Sequence, residues 1–73
     1  MIRKNKEVLV EYHDDVDSGV IIFDKSNNKI ETTAIFKIEE NKVLLYCNLD
    51  KENKLISIEI DGMKYLFNED FFL

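Results

Sequence analysis

At 73 residues, 8.6 kDa and 45% apolar content, the chain can build one hydrophobic core and one domain over 1–73, with too little wall for a deep catalytic cleft. Ten basic and fifteen acidic side chains give a formal charge of -5 and a pI of about 4.7, which disfavours a general nucleic-acid binder, because such proteins neutralise phosphates with Lys and Arg. The longest apolar runs, Val20–Phe23 and Val43–Cys47, fall far short of the roughly 20 residues that span a bilayer, so no membrane partner is expected.

Fourteen Val and Ile residues, five Phe and three Tyr stand against a single Ala, and stiff branched side chains favour the pleated conformation. With no proline and two glycines there is no linker, so the chain reads as one all-β unit. The basic start, Arg3, Lys4 and Lys6, has no apolar segment behind it to make a secretory signal, which points to a cytoplasmic protein.

In chain order, Val8–Tyr12 is the first strand and Asp14–Gly19 its turn; Val20–Asp24 is the second, followed by a turn at Lys25–Lys29 containing Asn27-Asn28. Ile30–Ile38 alternates, with Ile30, Thr32, Ala34, Phe36 and Ile38 facing the core while Glu31, Thr33 and Lys37 project to water. After a turn at Glu39–Asn41 comes Val43–Leu49, apolar on both faces in part, as a central strand would be. Asp50–Asn53 turns into Leu55–Ile60, where Ile56, Ile58 and Ile60 face inward and Ser57 and Glu59 outward. Asp61-Gly62 suits a two-residue type I′ hairpin, so Gly62→Val is expected to cost stability and Met63–Phe67 to pair back as a sixth strand. The sum is an antiparallel meander of about six strands, a single curled sheet or open barrel in which sequence neighbours are sheet neighbours. A short tail, Phe71-Phe72-Leu73, follows the break at Asn68–Asp70. It either folds over an open sheet face or forms an interface covered by a partner or a second copy.

Chemistry-bearing residues are few. Cys47, the single cysteine, lies in a strand-like run without the electropositive setting a reactive thiolate needs, and is assigned to the core. Its lack of an internal partner agrees with a reducing compartment. Tyr12–Gly19 gathers His13, Asp14, Asp15 and Asp17, but an EF-hand would require an acidic or amide side chain where Val16 stands and a glutamate where Lys25 stands. One His and one Cys, separated by strand-rich sequence, do not make a transition-metal set. Ser18, Ser26 and Ser57 lack a nucleophile elbow, and the three tyrosines lack interleaved Arg or Lys for base stacking. No catalytic, cofactor or metal residue is assigned, and no enzyme is expected. As partner-binding residues the sequence offers Asp14, Asp15 and Asp17 in the acidic stretch, and Phe71 and Phe72 in the tail.

The stretch Tyr12–Gly62 resembles a small bacterial and phage family described as domain of unknown function 2283, whose members typically read Y-D-x-x-A-D-A-L-Y-I, then E-T, then V-D-L-D-x-x-G-x-L-V-G-I-E-I. Tyr12, Asp17 and Ile21 match the opening, Glu31-Thr32 the middle, and Leu55-Ile56-Ser57-Ile58-Glu59-Ile60 the most distinctive last piece. His13, Gly19 and Val20 depart from it, and Asn53 stands where the turn glycine belongs, an exchange that the left-handed tolerance of Asn permits. The resemblance implies a compact strand-rich fold and carries no functional residues with it; some family members look like acidic partners of small toxins. Together with the charge, this leads to the expectation of a non-enzymatic protein-binding module, antitoxin-like toward a basic protein, self-association included. The alternative is a phage-type inhibitor that mimics nucleic acid with its carboxylates and blocks a nuclease or DNA-binding protein.

Overall fold

A computed structural model describes residues 1–4, 7–24 and 29–73; the expected turn at Lys25–Lys29 lies outside the described residues except for Lys29, and so does Ser26. Five strands, β1 (Leu9–His13), β2 (Ser18–Ile22), β3 (Thr32–Ile38), β4 (Val43–Leu49) and β5 (Leu55–Asp61), form one open antiparallel sheet. A four-residue helix α1 (Met63–Leu66) and a 3₁₀ turn (Glu69–Phe72) follow. Among the described residues, no helix is long and apolar enough to cross a membrane.

The all-β expectation holds, with two corrections. The strand order is β1-β2-β5-β4-β3, so β2 and β3 are not neighbours and the sheet is not a meander. Two hairpins run from β3 through β4 to β5, and β2 reaches β5 by skipping across the sheet, a Greek-key arrangement of β2 to β5. Physically, β5 carries Ile56, Ile58 and Ile60, and the centre of the sheet is where that stripe loses most contact with water. The second correction concerns the sixth strand: Met63–Leu66 is helical, and the chain turns there because Gly62 adopts φ 92 as the residue before the helix, not as half of a hairpin turn. A Cβ at position 62 would also run into the Lys42 carbonyl, so both strain and collision oppose any side chain there.

Loop geometry follows residue type. Glu39, Glu40 and Asn41 all have positive φ in the tight β3–β4 connection, closed by the Lys42 N–H donating to the Glu39 carbonyl at 3.1 Å. Between β4 and β5, the Asp50 carboxylate accepts the N–H groups of Glu52 and Lys54 at 2.8 and 3.0 Å, and Asn53 sits at φ 62, the left-handed conformation expected for it.

The register sorts the side chains into two faces. On one face Val43, Ile60 and Met63 are buried together, with Tyr12, Ile21, Ile38, Leu45, Ile58, Phe67 and Phe72 packed around them. Gly19 lies under Met63, because a Cβ there would stand 3.2 Å from the Met63 methyl and 2.7 Å from the Glu11 carbonyl oxygen. Cys47, assigned to the core, is half-buried on this face between Ala34 and Ile58. At the sheet edge the inward alternation of β3 is incompletely covered, and Phe36 remains 54% exposed.

The other face was expected to be wet, yet Asn48 and Ser57 there are only 3% and 6% exposed. They satisfy each other: the Thr33 hydroxyl donates to the Asn48 amide oxygen at 2.7 Å, and the Asn48 amide N–H donates to the Ser57 hydroxyl at 3.1 Å. This ladder crosses β3, β4 and β5 along one row of the register, and among the described residues no buried side-chain polar atom lacks a partner.

Candidate functional site

The acidic turn and the C-terminal tail, distant in sequence, meet at the end of the β1–β2 hairpin, and one aspartate joins them. Asp17 sits at φ 51, a conformation that Asp tolerates better than most residues. Its backbone carbonyl accepts the N–H groups of Gly62 and Met63 at 3.0 and 3.1 Å. Its carboxylate accepts the Lys64 N–H at 3.0 Å and the Tyr12 hydroxyl at 3.0 Å. Four bonds from one residue therefore fix where α1 begins. Because α1 has no side-chain cap of its own, Asp17 supplies the missing acceptor from another element.

Downstream, the helix and the 3₁₀ turn fold the tail over the core face. Phe67 and Phe71 stack with centroids 4.3 Å apart, Phe71 meets Phe72 edge-on at 5.4 Å, and Phe72 packs on Tyr12 at 4.8 Å. Beside this aromatic cluster runs an open groove lined by Tyr12, Asp14, Lys64, Phe67, Glu69, Phe72 and Leu73. Its floor is apolar, and Asp14 and Glu69 bring carboxylates to it, with Lys64 the one cation among the lining residues. Burial, the hydrogen bond it donates to Asp17, and the charges of Asp17 and Asp14, in that order, push the Tyr12 phenol above its ordinary 10.0.

The five residues singled out from sequence thus fall into different places. Asp14 and Phe72 line the groove; Phe71, 41% exposed, stacks beside it; Asp15 is exposed in the turn; Asp17 is bound up in holding the fold. Sequence reasoning missed Tyr12, Lys64, Phe67 and Glu69, while Leu73 belongs to the tail it named as a candidate interface. No spacing rule marks Phe67, because the chain is extended at Phe67 and Asn68 and its stack on Phe71 joins two separate elements. Phe72 packs against the core, as the folded-over alternative expects, while Phe71 and Leu73 remain exposed.

On the opposite face a shallow depression is lined in part by His13, Ser18, Tyr46, Glu59 and Asp61. His13, Ser18 and Asp61 share one row across β1, β2 and β5, with Ser18 in the middle. A nucleophilic triad needs the imidazole between hydroxyl and carboxylate, and no hydrogen bond joins these three side chains. Among the described residues, no three His, Cys, Asp or Glu side chains form a group that could hold a metal ion.

The chain matches no protein-family model, no curated protein and no solved structure.

Proposed function

We propose that this protein is a non-enzymatic binding module that holds a basic protein partner at the junction of the β1–β2 turn and the C-terminal tail. The observation carrying this reading is the groove in which Tyr12, Phe67 and Phe72 form an apolar floor beside Asp14 and Glu69. Aromatic anchors next to carboxylates suit a Lys- or Arg-bearing surface: the rings supply desolvated contact area, and the charges steer the encounter and select its sign. The net charge of -5 acts in the same direction at longer range. The resemblance to the family of unknown function, some of whose members look like acidic partners of small toxins, agrees with this reading, and the proposal extends to a cytoplasmic protein of bacterial or phage origin.

The nucleic-acid mimic would present carboxylates in an unbroken row. On the open face Glu11 and Glu59 share a row with Val20, Tyr46 and Ile35, and Asp61 lies beside Leu44, so apolar groups interrupt the charge. The basic-partner reading is therefore preferred.

Capture from a lysate of the native host on the immobilised chain, with identification by mass spectrometry and binding repeated on the purified partner, tests the proposal. The expected partner is basic, is released as salt rises, and binds at least about tenfold more weakly to an Asp14→Lys/Glu69→Lys variant. Phe71→Ala reports on the tail without removing the core contact made by Phe72. A partner whose affinity is unchanged by both variants would remove the groove from the account.

A further inference from the structure

The sheet has two edges, and they differ in what they offer to a second strand. β1 is five residues long, and pairing the whole of it with a copy of itself would set Glu11 against its own counterpart, a like-charge contact that opposes association. β3 is seven residues long and carries no proline. Its side chains include Ile35 on one face and Phe36 on the other, 57% and 54% exposed, with Ile30 just before it at 45%. A long, apolar edge of this kind is a template for strand addition.

We propose that a second copy of this chain pairs antiparallel along β3 about a two-fold axis at Ala34, joining two five-stranded sheets into one continuous sheet. The register is argued from charge. Antiparallel pairing centred on Ala34 sets each Glu31 opposite the Lys37 of the other copy, giving two symmetric ion pairs on the face that carries Thr33 and Ile35. The same register sets Ile30 against Ile38 and Thr32 against Phe36 on the core face, so the exposed Phe36 ring gains a neighbour where its own sheet supplies none. Moving the axis by one residue, to Ile35, would pair Glu31 with Glu39, so charge selects the Ala34 register over that one. This assembly is independent of the groove at the other edge and leaves it open.

Sedimentation or light scattering from micromolar to near-millimolar protein tests the inference, with circular dichroism to verify that each variant keeps its strand content. The wild-type chain is expected to dimerise. Lys37→Glu, which turns both ion pairs into repulsions, is expected to weaken the dimer by about tenfold or more. The charge-swapped double variant Glu31→Lys/Lys37→Glu restores complementarity and is expected to recover the wild-type association. A wild-type chain that stays monomeric throughout overturns the inference. So does a dimer indifferent to Lys37→Glu, or a folded double variant that fails to recover.

Discussion

Replacing Asp17 with alanine removes three contributions whose sizes follow from the geometry. The carboxylate caps α1 through the Lys64 N–H, a role worth about 1 kcal/mol. It accepts the half-buried Tyr12 hydroxyl at 3.0 Å, a bond worth about another 1 kcal/mol. Alanine at φ 51 also incurs left-handed strain that Asp relieves through its own polar side chain, again about 1 kcal/mol. The expected loss is about 3 kcal/mol, a large share of what a domain this small holds, and it corresponds to a fall in Tm of about 10 to 25 °C. Thermal and urea denaturation followed by circular dichroism measure it. Two companions separate the terms: Asp17→Gly accepts the positive φ and should recover about 1 kcal/mol, while Asp17→Asn keeps an acceptor and should lose least. If alanine costs less than about 1 kcal/mol, or glycine is as damaging as alanine, the view of Asp17 as the residue that anchors the tail is wrong.

Two further perturbations address other parts of the molecule. Asn48→Ala leaves the buried Ser57 hydroxyl without its donor and the Thr33 hydroxyl without its acceptor, for an expected cost of about 1 to 3 kcal/mol in chemical denaturation. Replacing all three ladder residues with apolar counterparts of similar shape should cost less than the single change, and a larger loss would count against the ladder reading. The raised Tyr12 pKa makes stability depend on alkaline pH: the folded state favours the neutral phenol, so its contribution is complete below the ordinary value of 10.0 and is lost as pH rises through the folded value. Tm should therefore fall more steeply above that pH in the wild type than in Tyr12→Phe, and parallel curves would refute the assignment.

Much of the strand content is legible in the residues, and the pairing is not. Val43–Leu49 matches β4, and Leu55–Ile60 misses only the last residue of β5, because alternation and flanking turn formers mark where a pleated segment starts and stops. Alternation is silent about partners: it identifies which isoleucines of β5 face inward but contains nothing to say that β2, far back along the chain, lies beside it. Asp61-Gly62 misled because positive φ at glycine serves a helix start as well as a hairpin, and only the carbonyl and carboxylate of Asp17 decide between them. The acidic stretch shows the same limit. Asp14, Asp15 and Asp17 look alike in sequence, yet one lines a groove, one faces solvent and one holds the fold, a difference set by contacts 47 residues away. Ser57 reads as a solvent-facing polar residue, and its burial depends on Asn48, which belongs to another strand.

The central position of β5 has a consequence for biosynthesis. β2 can zip to β1 as soon as it emerges, and β3 to β4, but the two hairpins have no direct contact through strands until Leu55–Asp61 slots between them. A nascent or prematurely terminated chain ending before that segment would hold two separate ribbons, each with an apolar border left open. Such fragments should be targets for chaperones and proteases, so the last quarter of the chain, from Leu55 onward, decides whether the rest survives.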